Sequence, residues 1–264
     1  MEKQGLSTNT LKIIAIVAMV CDHAPYIMQG WQELYYVYPW FLLHAFGRIT
    51  APIFFFLIAL GYRRTSNANR YTIRLIIFAC LSYLPYIMYF KGGLPNSHNF
   101  LELNVIFTML VGLLLLRSIH EIRNIALKIV CIVLCLIGGY WCDFGLYGIA
   151  LILVCDVARD SRRGTILAMG AVIMAYFYVS VGRVLPRDSG IFDNFSQIGS
   201  NPIVFNYLVV MLFQFLPLLF IAFHTSWYKG AKAEKKPSFL AKWGFYIFYP
   251  AHITVFLIIR TFLI

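Results

Sequence analysis

Two arms of one hydrophobic hairpin decide how the chain is read. The outgoing arm is Leu11-Lys12-Ile13-Ile14-Ala15-Ile16-Val17-Ala18-Met19-Val20-Cys21-Asp22-His23-Ala24-Pro25. The returning arm is Phe41-Leu42-Leu43-His44-Ala45-Phe46-Gly47-Arg48-Ile49-Thr50-Ala51-Pro52-Ile53-Phe54-Phe55-Phe56. Both suit lipid, yet an Asp-His pair and an Arg lie inside them. A central Asp or Arg costs about 2.5–3.5 kcal/mol on membrane insertion scales, so such residues face a protein-lined cavity and usually carry function.

Composition sets the class. Of 264 residues, 61% are hydrophobic and 12% charged, and the mean hydropathy is +0.75. Soluble domains carry about 25% charged residues. The chain is therefore expected to be an all-α, polytopic membrane protein with residues 1–264 forming one transmembrane domain. The first apolar run is read as a retained span: Lys12 and the Asp-His pair spoil a signal peptide, and no small-residue cleavage site follows. A net charge of +11 would suggest nucleic acid in a soluble protein. Here the positives sit in short loops, and no basic-aromatic groove, zinc-finger spacing or helix-turn-helix pattern accompanies them. Cysteines at 21, 80, 131, 135, 142 and 155 lie mostly in apolar runs, where they act as small hydrophobes, and no second Cys pair completes a metal site.

A span needs about 20 apolar residues. Spans are expected at 11–29, 40–62, 71–90, 102–117, 124–141, 143–158, 165–184, 203–224 and 240–262, about nine in all, the short pair around Cys142-Asp143 being the least secure. Each even-numbered span ends in a basic loop: Arg63, Arg64, Arg70 and Arg74; Arg117, Arg123 and Lys128; Arg159, Arg162 and Arg163; Lys229, Lys232, Lys235, Lys236 and Lys242. This alternation puts the N-terminus in the cytoplasm and the C-terminus outside. The lysine-rich loop 229–242 reads as an orientation signal that touches anionic lipid. The outer loops at 30–39, 91–100 and 185–202 are solvated connectors or openings for an acceptor from outside.

Lys12 and His23 are eleven positions apart, about three helical turns, and so share a face about 16 Å apart along the axis. Arg48 enters from the same outer surface and reaches a depth similar to Asp22 and His23. Asp22 and His23 point about 100° apart. Asp22 is expected to offset Arg48, because a buried cation without an anion is costly, which leaves a purely structural pair as the alternative. His23 is expected to face a cavity and serve as general base, a task few side chains perform unshifted near neutral pH. A second histidine, His252, follows Tyr249-Pro250 in the last span, where Pro250 frees a backbone carbonyl; it lines the same cavity or packs. Asn104 and Asp143 are further polar groups at span ends. His44, His98, His120 and His224 read as interfacial. The cluster Arg63, Arg64, Arg70 and Arg74 reads as a topology signal or as ligands for the phosphates of a nucleotide-bearing cofactor such as coenzyme A. There is no P-loop, dinucleotide fingerprint or nucleophile elbow.

The Leu11–His23 run, Gly47-Arg48-Ile49-Thr50-Ala51-Pro52, Leu103-Asn104-Val105-Ile106-Phe107-Thr108, Asp143-Phe144-Gly145-Leu146-Tyr147-Gly148 and Tyr249-Pro250-Ala251-His252 together resemble the TraX family of conjugal-transfer proteins, over nearly the whole chain. That family is similar to N-terminal acetylases of pilin subunits in the bacterial inner membrane. It looks distantly like the acyltransferase-3 superfamily, whose first helix carries Arg, ten residues, then His. Here Lys12 stands for the Arg and His23 matches the His. The resemblance implies acetyl-CoA as donor, its phosphates near Lys12 and the Arg63–Arg74 cluster. It implies a pilin-like peptide amine or a surface glycan hydroxyl as acceptor, with Arg48 or a neighbour stabilising the oxyanion. No metal is implied. The competing classes are a proton-coupled transporter and a structural subunit of a secretion or conjugation apparatus.

Overall fold

The computed structural model describes residues 5–28, 40–184, 202–227 and 239–262. These are helical apart from turns and two isolated bridges, with no strand among them. The helices are α1 (Thr8–His23), α2 (Trp40–Gly47), α3 (Thr50–Arg64), α4 (Ala68–Phe90), α5 (Val105–Glu121), α6 (Ile125–Gly139), α7 (Gly145–Val157), α8 (Arg162–Val184), α9 (Pro202–Leu212), α10 (Leu216–Ala222) and α11 (Phe239–Phe262). The outer loops 30–39 and, but for Pro202, 185–202 lie outside the described residues, as does most of the lysine-rich loop 229–242.

Among the described residues, six stretches are long and apolar enough to cross a membrane: Thr8–Ile27, Trp40–Arg64, Ala68–Phe90, Arg162–Gly182, Val204–Ala222 and Trp243–Phe262. The protein is thus an all-α, multi-pass membrane protein. The other three expected spans correspond to α5, α6 and α7, with 17, 15 and 13 residues. At 1.5 Å per residue α6 and α7 fall short of the ~30 Å hydrocarbon layer.

Local chemistry sets the helix ends. Ser7, Asn67, Asn104 and Asn124 each accept a main-chain N–H from the first turn of α1, α4, α5 and α6. The second passage, expected as one span over 40–62, is broken at Arg48-Ile49 into α2 and α3. Pro52 supplies the reason: it has no N–H for the Arg48 carbonyl four residues back.

Every α3 residue from Ala51 to Leu60 is buried, as expected for a helix that is apolar all round. It is the hub, with α1, α5, α7 and α10 packed against it. Small residues allow the close approaches that hold helices together in lipid. A Cβ on Gly148 of α7 would lie 2.7 Å from the Phe55 ring of α3. Two backbone bridges fix the ends. Leu6 pairs with the Phe223–Thr225 segment (2.7 and 3.0 Å), which joins the start of α1 to the end of α10. Leu103 pairs with Trp141 and Asp143 (2.9 and 2.8 Å) on the outer side.

Asn104 is fully buried and used twice. Its Oδ1 accepts from Ile106 N–H (3.0 Å), and its Nδ2 donates to the Ala79 carbonyl of α4 (3.0 Å). Asn104→Ala is expected to lower stability by about 1–3 kcal/mol, the worth of a cap and a buried bond together. Asn104→Asp, which keeps the cap, falls between. Thermal unfolding of detergent-solubilised protein measures this, and an unchanged midpoint in the Ala variant would contradict it.

Candidate functional site

α1 ends at His23 because the chain turns into a short 3-10 segment, Ala24–Ile27, with Pro25 in its first turn. α2 runs back alongside, and Gly47 lets the two backbones meet at Asp22. Asp22 Oδ1 accepts from two donors on the returning passage, His44 Nδ1 (3.0 Å) and Arg48 Nη2 (3.2 Å). The expected Asp22–Arg48 pairing is therefore present in the geometry. His44 is an addition: expected as interfacial, it is fully buried and completes the cluster. A signal was available, since His44 and Arg48 are one helical turn apart and so share a face.

The two histidines at positions 23 and 252 meet. His23 Nδ1 lies 2.8 Å from His252 Nε2, and the rings are nearly parallel, 10° apart. His252 Nδ1 lies 2.9 Å from the Phe248 carbonyl. A carbonyl only accepts, so the neutral His252 carries its proton on Nδ1 and offers a lone pair at Nε2. His23 must then donate from Nδ1. The order Phe248 C=O, His252, His23 leaves His23 Nε2 as the unprotonated nitrogen. The backbone at His23 is held as well. Tyr89 O–H donates to the His23 carbonyl (2.8 Å), while Arg260 of α11 donates to the carbonyls of Tyr89 and Met88 (2.8 and 3.3 Å).

Asp22, His23 and Arg48 line a cavity of about 470 Å³. Tyr86, Lys91, Asp143, Gln214 and Tyr249 also line it. Tyr86 O–H donates to Asp143 Oδ1 (3.3 Å), and Tyr147 O–H donates to Gln214 Oε1 (2.8 Å). Lys91 follows the end of α4 and Asp143 precedes α7, so the cavity lies toward that end of the bundle, the end expected from the charge pattern to face outward. Met19, Phe54, Met109 and Phe245 line the same cavity farther from Lys91 and Asp143, with the Phe54 and Phe245 ring centroids 4.0 Å apart.

The other expected site residues are not on this wall. Asn104 is a helix cap, as described above. None of Lys12, Arg63, Arg64, Arg70 and Arg74 lines the cavity, and Arg63, Arg64 and Arg74 each meet different groups. Arg63 Nε donates to the Ala59 carbonyl (3.3 Å), and Arg64 Nη1 donates to Thr8 Oγ1 (3.3 Å). Arg74 lies over the rings of Tyr71 and Trp243. Two histidines expected at span ends have specific partners there. His120 Nε2 meets the buried Asp156 (2.7 Å), and the buried His224 meets Thr8 (3.2 Å) and Ser226 (2.7 Å). No group of three metal-binding side chains occurs among the described residues. Tyr86, Lys91 and Gln214 were not singled out from sequence; each reaches the cavity through a tertiary arrangement that no local spacing encodes.

Fold and site together define a multi-pass membrane protein with a polar, histidine-bearing cavity at the end of the bundle where α1 and α4 finish. The chain belongs to the TraX family: the family model described as "TraX protein" matches residues 7–260. Membership and the apolar helices place it in the bacterial inner membrane. The chain is 28% identical over 261 residues to the probable fimbrial assembly protein FimC, serogroup H1, of Dichelobacter nodosus, with 97% of each chain covered. No solved structure matches.

Proposed function

We propose that the protein is a membrane acetyltransferase that moves an acetyl group from acetyl-CoA to an acceptor on the outer side, with His23 as general base. The observation that carries this reading is the hydrogen-bonded order from Phe248 through His252 to His23, which sets an unprotonated Nε2 on a residue of the cavity wall. In the reaction the acceptor's ammonium first gives one proton to water; the neutral amine nitrogen then attacks the thioester carbonyl carbon as His23 Nε2 takes a second proton from it. The carbon–sulfur bond then breaks, and the CoA thiolate leaves with that proton. Arg48, fixed by Asp22, puts positive charge on the same wall, where an oxyanion would develop. An acetyl-His23 intermediate is an alternative route to the same products.

The acceptor class follows from two supports. A carboxylate, Asp143, lines the outer part of the cavity and suits an incoming ammonium better than a hydroxyl. The relative from Dichelobacter nodosus is named for fimbrial assembly. A pilin-like peptide amine is therefore preferred to a surface glycan hydroxyl. On this reading the donor's phosphates bind on the cytoplasmic side, at Lys12 and the Arg63, Arg64, Arg70 and Arg74 cluster, as the sequence resemblance to acyltransferase-3 enzymes implies. Phe54 and Phe245 meet on that side of the cavity, and on this reading the pantetheine arm displaces their contact to reach His23.

The test is direct. Protein purified in detergent is expected to bind acetyl-CoA and to release free CoA slowly, read as new thiol, without any acceptor. A transporter or a structural subunit would leave the thioester intact. No binding and no thiol release would reject the enzyme reading.

A further inference from the structure

A second cavity of about 400 Å³ lies on the outer side, and Lys91 and Asp143 line both it and the site cavity. Its walls are the loop after α4 and the hairpin between α6 and α7. Phe100 and Trp141 are apolar walls, and His98 and the Lys91–Glu102 ion pair are polar ones. Tyrosine and tryptophan are common where a helix leaves the bilayer. Here, however, Trp141 walls a cavity together with an ion pair that opens toward a reactive centre.

The groove is built rather than incidental. Its loop has little core beneath it, yet its backbone is bonded to itself. Asn96 N–H donates to Asn99 Oδ1 (2.7 Å), His98 N–H to Asn96 Oδ1 (2.8 Å) and Glu102 N–H to the Asn99 carbonyl (3.0 Å). Tyr83 O–H of α4 donates to the Phe100 carbonyl (2.6 Å), and the Leu103 bridge to Trp141 and Asp143 locks the two walls together. A stiff, exposed loop with its own bonding network is where binding residues are commonly placed.

We infer that this groove holds the acceptor behind its reacting end, and that it reads an apolar or aromatic side chain in a peptide whose terminal amine has passed Lys91 and Asp143 into the cavity of His23. The inference rests on the acetyltransferase reading above. A chain end fits because the two cavities adjoin at Lys91 and Asp143, which line both, and a small acceptor would need only the inner one. The carboxylate of Asp143 at the junction suits the passing ammonium, and Trp141 offers a ring to the residues behind it.

Hexapeptides with a free N-terminus, identical except at the second and third positions, both Phe, both Ala or both Asp, serve as probes with the full-length protein in detergent. The wild type is expected to acetylate the Phe peptide with kcat/KM about threefold to tenfold above the Asp peptide, the range one aromatic pair contributes. Trp141→Ala should level that preference through KM and leave acceptor-free CoA release unchanged; Trp141→Phe should restore it. The substitution leaves the Trp141 main-chain carbonyl, and so the bridge to Leu103, in place. CoA release with no peptide preference, or a preference that survives Trp141→Ala, overturns the groove and leaves the acetyltransferase reading standing. A parallel loss of CoA release in Trp141→Ala also overturns the groove, because the residue would then act on the inner cavity. Absence of CoA release in the wild type overturns both.

Discussion

His23→Gln is expected to insert, fold and bind acetyl-CoA as the wild type does, while acetyl transfer falls by about 10²–10⁴-fold, the usual contribution of a general base. The glutamine amide can still donate toward His252 Nε2, so the contact between α1 and α11 survives. It has no basic nitrogen to offer the acceptor. His252→Ala should cost less, because His23 keeps both nitrogens and loses only the partner that fixes which one is protonated. Single-turnover acetyl transfer with a saturating peptide acceptor separates the two, and acetyl-CoA binding by calorimetry serves as the control. A His23→Gln protein that transfers acetyl at the wild-type rate would remove His23 from the chemistry.

The second large effect belongs to a glycine. A Cβ on Gly47 would stand 2.5 Å from Asp22 Cγ and Oδ1, closer than real side chains approach. Gly47→Ala must push α2 away from α1 or turn the Asp22 carboxylate aside. Overpacking alone costs about 1–3 kcal/mol. Breaking the bonds that Asp22 accepts from His44 and Arg48 adds to this, since separating a buried pair costs about 3–5 kcal/mol when fully desolvated. That second figure is an upper bound here, as Asp22 and Arg48 are each about one-fifth exposed. The expected outcome is a protein that melts far below the wild type in detergent or fails to accumulate in the membrane. Gly138 of α6 supplies the contrast: nothing lies within 4 Å of a Cβ there. Gly138→Ala should be neutral or slightly stabilising, because alanine is the better helix former. Equal melting of the two variants would mean that the close approach at Asp22 is not tight.

How much of this could be read from the chain depends on the residue. Asp22 and Arg48 stood out because an unpaired charge in lipid is expensive, and the price itself implies a partner. His23 stood out for the same reason. His44 was legible too, one turn before Arg48, but a histidine near a span end is usually an ordinary interfacial group, and that background hid it. His23 and His252 are 229 positions apart, so their contact is a property of packing between α1 and α11. The cytoplasmic arginines illustrate the opposite case. Their positions report topology through the charge alternation, whereas whether they converge on a ligand depends on side-chain directions that spacing does not set. The break at Arg48-Ile49 was hidden by uniform hydropathy across 40–62, although Pro52 was in plain view. Membrane class was legible from composition alone; the number of crossings was not, because α6 and α7 are shorter than a crossing requires.

Those short helices have a consequence for the lipid. α6, with 15 residues, spans about 22 Å, and most of its surface outside the contacts with α5 and α7 is apolar and exposed. Acyl chains beside it are expected to compress or tilt to match that length, which would dimple the bilayer along that flank, by the end that carries Tyr140 and Trp141. Such a dimple would bring bulk water closer to the midplane there, and a hydrophilic chain arriving at that end would cross less hydrocarbon on its way in.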